Sequence, residues 1–114
     1  MKPFAFNSRY VKCSNAMLRK TTYAADGSIR LEVIAGDNPG EDFIPGEPLA
    51  TVTVCMVGYD ETPRDGMVFI KDYSENEGTV EALHEAGIIG QPERWLDAGR
   101  AKDGVAECPL LVKI

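Results

Sequence analysis

Apolar and polar positions alternate with a period of two along Ser28–Ala35, where Ile29, Leu31 and Val33 interleave with Arg30, Glu32 and Ile34. That period marks a strand with one buried face, because successive side chains point to opposite sides of the pleat. Met17–Ala24 has the Thr and Tyr content of a partner strand. Ala25-Asp26-Gly27 between the two supplies the positive backbone angles of a tight hairpin. Leu49–Val57 is the clearest β-branched run and predicts a central strand, with Val52, Val54 and Met56 on one face and Thr51, Thr53 and Cys55 on the other. Beyond a turn at Gly58–Gly66, Met67–Lys71 predicts a fourth strand. Val105–Ile114 predicts a last one, held to an edge or a bulge by Pro109, which has no N–H to donate.

Only one segment has a helical signature. Ser74-Glu75-Asn76-Glu77 fits a capping box, in which Ser74 accepts from the Glu77 N–H and the Glu77 side chain reaches back to the Ser74 N–H. Asp72, Glu75 and Glu77 stand where the positive end of the helix dipole favours anions. Val80, Leu83 and Ala86 make the apolar stripe of a helix of about three turns, and Gly87 stops it in a left-handed conformation. Glu77, Glu81 and Glu85, spaced by four, predict an acidic ridge whose self-repulsion costs on the order of a few tenths of a kcal/mol per pair. Glu93–Ala98 fits either a single helical turn or a short strand, and Gly99–Gly104 a polar turn. Residues 36–48 form an acidic Gly/Pro loop with Asp37, Glu41, Asp42 and Glu47, in which Phe43-Ile44 is the only apolar pair. Phe43 either anchors a partner or tucks the loop onto the body. The expected fold class is α+β: a single antiparallel sheet of about five strands with one covering α-helix. Residues 1–114 read as a single domain, with residues 1–16 as an N-terminal extension.

At 114 residues and 44% hydrophobic content the chain can bury one sizeable core without disulfide or metal staples. No apolar run approaches the length of about 20 residues that a membrane-spanning helix needs. Asn7 and Arg9 interrupt the start before a secretory apolar region could form, so the expected location is cytoplasmic. Cys13, Cys55 and Cys108 are odd in number and far apart, which fits reduced thiols better than a disulfide framework or a zinc site.

Charge is unevenly spread. Residues 1–36 carry six basic against two acidic side chains, a net +4, and the remainder six basic against sixteen acidic, a net −10. A strongly acidic lobe repels nucleic acid and favours basic partners, since complementary potentials steer association. Residues 9–23 offer the opposite possibility: Arg9, Tyr10, Lys12, Arg19, Lys20 and Tyr23 interleave basic and aromatic residues as a nucleic-acid stacking surface would.

Candidate chemistry is thin. His84 is the only histidine, and its helical neighbour Glu81 suits a local ion pair better than a catalytic base. Paired carboxylates such as Asp72 with Glu75 or Asp60 with Glu61 are too abundant to mark a glycosidase cleft. Asp72-x-Ser74-x-Asn76-x-Gly78 alternates oxygen donors, yet lacks the central Gly and closing Glu of a calcium loop. Neither a P-loop nor a G-x-G-x-x-G run occurs, so nucleotide binding has no support.

The run Val68-Phe69-Ile70-Lys71-Asp72-Tyr73-Ser74-Glu75-Asn76-Glu77-Gly78, followed by Leu83, Ala86-Gly87-Ile88 and Glu107-Cys108-Pro109-Leu110, resembles a family of small acidic bacterial proteins of unknown function. Members of that family are carried on plasmids, prophages and integrative elements. The resemblance runs from about Asp26 to the C-terminus and omits the Asp37–Glu47 loop and the basic N-terminal segment. It implies no catalytic residue. It does imply a setting in which small acidic proteins block host machinery, anti-CRISPR inhibitors among them. The expectation is therefore a non-enzymatic binding protein without cofactor or metal. Asp72, Glu75, Glu77, Glu81, Glu85 and Phe43 would meet a basic surface on a host protein, for instance a nucleic-acid-binding defence complex. The alternatives are a nucleic-acid accessory protein acting through Arg9, Tyr10, Lys12, Arg19 and Lys20, and an unrecognised hydrolase. An exposed edge strand leaves a homodimer open.

Overall fold

The computed structural model describes residues 1–114 and contains seven strands, one α-helix and two short 3₁₀ turns. Strands β1 (Phe4–Asn7), β2 (Lys12–Thr22), β3 (Ile29–Ala35) and β4 (Pro48–Thr51) form an antiparallel meander in that order. Strands β5 (Met67–Lys71), β6 (Arg94–Ala98) and β7 (Ala101–Pro109) form a second antiparallel sheet in the order β5-β7-β6. Helix α1 (Thr79–Glu85) lies against β1 and β5. The class is α+β, but two sheets of four and three strands replace the single sheet of about five that the pattern predicts.

The sheets divide inside the run that reads as one central strand. Only Pro48–Thr51 pairs as β4, at the edge of the first sheet; the chain then crosses between sheets. Val52 N donates to Leu31 O in β3 at 3.0 Å, while Lys71 N in β5 donates to Val52 O at 2.8 Å. Val54 N donates to Phe69 O at 3.1 Å. Thr53 is buried, its Oγ1 accepting from Leu31 N at 3.0 Å and hydrogen-bonding the Tyr23 hydroxyl at 3.1 Å. Thr53, on the face of the run opposite Val52 and Val54, is thus part of the seam. The β2–β3 hairpin forms as the pattern predicts, with Leu18 opposite Val33 and Arg19 opposite Glu32.

Residues 1–16 are not an extension. β1 and the start of β2 are integral to the first sheet, and Phe6, Cys13 and Ala16 are each 0% exposed. A strand of four residues carries too few alternations to stand out in sequence. The 36–48 loop folds back onto the same end. Ala35 N donates to Glu47 O at 2.8 Å, Ser14 N donates to Pro39 O at 3.3 Å, and Phe43 packs half-buried against the core while Ile44 is 72% exposed.

The capping box does not form. Ser74 has a left-handed backbone (φ 56°) in a 3₁₀ turn, and Glu77 N donates to the Ser74 carbonyl at 3.2 Å rather than to its side chain. Gly78, with φ 87°, breaks the chain direction, so α1 starts at Thr79 and has seven residues. The cap comes from Asp72: its Oδ1 accepts from Gly78 N at 2.8 Å and its Oδ2 from Val80 N at 3.1 Å. Glycine is needed at 78 twice over, since a Cβ there would sit 3.0 Å from Arg9 N. Val80 and Leu83 are buried and Ala86 half-buried, as the stripe predicts, and Gly87 (φ 75°) ends the helix. Glu93–Ala98 resolves to strand β6. The last strand begins four residues earlier than its pattern and lies between β5 and β6, not at an edge; Pro109 closes it opposite Met67. A cluster of 17 buried residues draws on both sheets and α1. No helix is long and apolar enough to cross a membrane.

Candidate functional site

The acidic candidates separate once each is placed. Glu77 precedes α1 and pairs with Arg9, so the ridge of three shortens to Glu81 and Glu85 on the exposed side of the helix. Glu75 accepts from Lys71 Nζ at 2.8 Å, and the ammonium, aided by Ser74, holds its carboxyl down to about 2. Asp72 is committed to the helix start. Phe43 packs onto the core and presents little to a partner. Glu81 and Glu85 enter no ion pair within the chain. They alone among the six keep an uncompensated charge for something outside it.

Beside Glu81 the surface is concave. A cleft of about 380 Å³ lies between α1 and the segment leading into β6, lined by Asp72, Glu81, His84, Gln91, Pro92 and Trp95 among others. The loop Ile88–Glu93 brings Gln91 under the helix, where its Nε2 lies 3.0 Å from His84 Nε2. His84 therefore meets an amide, where a local ion pair was expected. Trp95 is the only tryptophan and is 44% exposed, on the outward face of the edge strand β6. Neither lysine nor arginine lines this cleft.

The basic and aromatic candidates of the N-terminal strands do not form one surface. Arg9, Tyr10 and Lys12 cluster at the β1–β2 turn, where Arg9 pairs with Glu77, lies 5.3 Å from the Tyr10 ring centre, and Lys12 Nζ donates to Ser8 O. Arg19 and Lys20 lie seven and eight residues further along β2, more than about 20 Å away at strand rise. Arg19 is neutralised by Glu32 across the hairpin. A strand pulls apart what sequence proximity puts together.

The arrangement with the most elaborate electrostatics is one the sequence reading did not single out. Glu107, on central strand β7, is 0% exposed. Its Oε1 accepts from Arg64 Nε at 2.9 Å and Arg94 Nε at 2.8 Å, and its Oε2 from Arg64 N at 2.9 Å. Arg94 reaches on to Glu61 at 2.9 Å and Arg64 to Glu93 at 3.2 Å, and the Arg94 guanidinium lies 5.8 Å from the Phe69 ring centre. Burial alone would push the Glu107 carboxyl up; the Arg94 and Arg64 hydrogen bonds outweigh it and hold it down to about 2. An acid inside the apolar run Val105-Ala106-Glu107-Cys108 was the available signal, because a buried strand carries a carboxylate only where cations meet it. Every Glu107 oxygen is satisfied, and the network pins the 57–66 turn and β6 onto β7.

Chemistry elsewhere is sparse. Cys13 and Cys108 are buried and Cys55 half-buried, and burial pushes the Cys108 thiol up to about 12. No three His, Cys, Asp or Glu side chains converge as a metal site would. Of the alternating oxygen run, Asp72 is taken by backbone N–H groups and the Asn76 amide donates to Thr51 O at 2.9 Å. No family model matches the chain, nor does any curated protein or solved structure.

Proposed function

We propose that the chain is a non-enzymatic binding protein that occupies a basic surface on another protein through the acidic side of α1, centred on Glu81 and Glu85. The observation that carries this reading is that these two carboxylates are exposed and unpaired, whereas Asp72, Glu75 and Glu77 are used within the fold. The net charge of −6 favours association with a basic partner over a long range at low salt. A host-directed role, as an anti-CRISPR or other anti-defence inhibitor, is the form of this reading that the resemblance of the Val68–Gly78 run would imply. His84 hydrogen-bonded to Gln91 instead of a nucleophile supports binding over hydrolysis. Wild-type and Glu81→Lys/Glu85→Lys proteins, tagged and passed over nuclease-treated bacterial lysate, provide the test. A stoichiometric protein retained by the wild type and lost by the variant is the expected result. Equal retention by both, or recovery of nucleic acid from untreated lysate in its place, overturns the assignment.

A further inference from the structure

The cleft beside Glu81 joins three features that meet nowhere else in the chain: an aromatic face open to solvent, an uncompensated carboxylate, and walls without a lysine or arginine. We infer that this cleft receives an arginine side chain of a basic protein segment, its guanidinium stacked on Trp95 and paired to Glu81. The inference rests on the reading of α1 as a docking face for a basic partner and specifies how that face would grip it.

The chemistry selects the occupant. A half-exposed indole attracts a cation lying over its ring, and arginine more often than lysine, because the planar guanidinium stacks while its N–H groups stay free for acceptors. Glu81 supplies one such acceptor. With Gln91 Nε2 donating to His84 Nε2, Gln91 Oε1 is left as a second in the same cleft. Asp72 also lines the cleft and offsets the positive end of α1, which would otherwise repel a cation. Pro92 beside Trp95 gives the aliphatic part of an arginine an apolar surface to lie on. An anionic ligand such as a phosphate would meet Glu81 and Asp72 without a compensating lysine or arginine. Tryptophan and arginine are also the residues that concentrate binding energy at protein interfaces.

The sole tryptophan makes the cleft its own reporter. The full chain is titrated at low and moderate salt with hexa-arginine and hexa-lysine peptides, read by Trp95 fluorescence and by the indole N–H resonance. Hexa-arginine is expected to shift both signals and to bind several-fold more tightly than hexa-lysine. Trp95→Ala and Glu81→Gln should each weaken it about tenfold. Both positions are on the surface, and an unchanged melting temperature shows that the variants fold. If hexa-arginine binds while the indole stays still and both variants bind as before, the cleft assignment falls and the acidic docking face survives. Equal affinity and equal indole shifts for the two peptides overturn the preference for a guanidinium. If neither peptide binds at low salt, the docking face and the cleft fall together.

Discussion

Replacing Glu107 with glutamine tests the central electrostatic feature of the fold. The substitution keeps the shape, removes the charge, and turns one acceptor oxygen into an NH₂ that faces arginine donors. The carboxyl titrates at about 2 in place of its ordinary 4.5. At about 1.4 kcal/mol per pH unit, the folded state gains on the order of 3 kcal/mol from this group at neutral pH. The arginines left behind, 55% and 37% exposed and still paired to Glu93 and Glu61, are not buried unpaired charges, so their desolvation adds little to this figure. For a chain of this length about 1 kcal/mol moves the melting temperature by about 4 °C, so Glu107→Gln should lower it by about 12 °C. Because the folded pKa is depressed, the stabilisation is complete above the unfolded value of 4.5 and disappears as the pH falls towards 2. Urea unfolding of both proteins at neutral pH and at about pH 3 should show the gap between them shrinking to about half. A gap under about 1 kcal/mol at neutral pH, or one that does not narrow in acid, would refute the assignment of that stability to the ion pairs.

Other expectations follow from particular contacts. Asp72→Ala removes the acceptor for Gly78 N and Val80 N and should cost about 1 kcal/mol in urea unfolding, with the loss of protection confined to α1 in amide exchange. Phe6→Ala should destabilise by about 3–5 kcal/mol, because the ring is fully buried in the main cluster; a change under about 1 kcal/mol would return residues 1–16 to the status of an extension. Alkylation of the native protein at mildly alkaline pH, followed by mass spectrometry, should mark Cys55 alone, with Cys13 and Cys108 reacting only in urea, since burial blocks the first and keeps the second a thiol up to about 12.

Much of the element content was legible in the residues, and its grouping into sheets was not. Ile29, Leu31 and Val33 revealed β3, Asp26-Gly27 the hairpin turn, and Gly87 the helix end, because each signal is local and falls within a few residues. Val52–Val54 misled because a segment hydrogen-bonded to different sheets on its two sides has the same β-branched composition as one in the middle of a single sheet. Ser74-Glu77 misled for another reason: the capping box counts spacing and ignores Gly78, whose left-handed backbone moves the helix start five residues past Ser74. At the candidate site, Glu81 and Glu85 were identifiable as acids but not as the unpaired ones. Their distinction depends on Arg9 and Lys71 reaching Glu77 and Glu75 from 68 and four residues away. The cleft wall formed by Trp95 and Gln91 depends on the path of residues 88–93, for which the sequence carries only Gly90 and Pro92 as markers.

The three residues at which the chain changes sheets have a kinetic meaning. The β1–β4 meander is assembled from neighbours in sequence and can close early, whereas β5 meets β7 only after more than 30 intervening residues are in place. Since Val52 gives its N–H to one sheet and its carbonyl to the other, the late sheet grows on a template that the early one has already fixed. In the reverse direction separating the two sheets breaks a hydrogen bond on one side or the other of the same residue. The seam thus couples the two sheets, and the amides of Val52 and Lys71 are expected to be among the slowest to exchange with solvent.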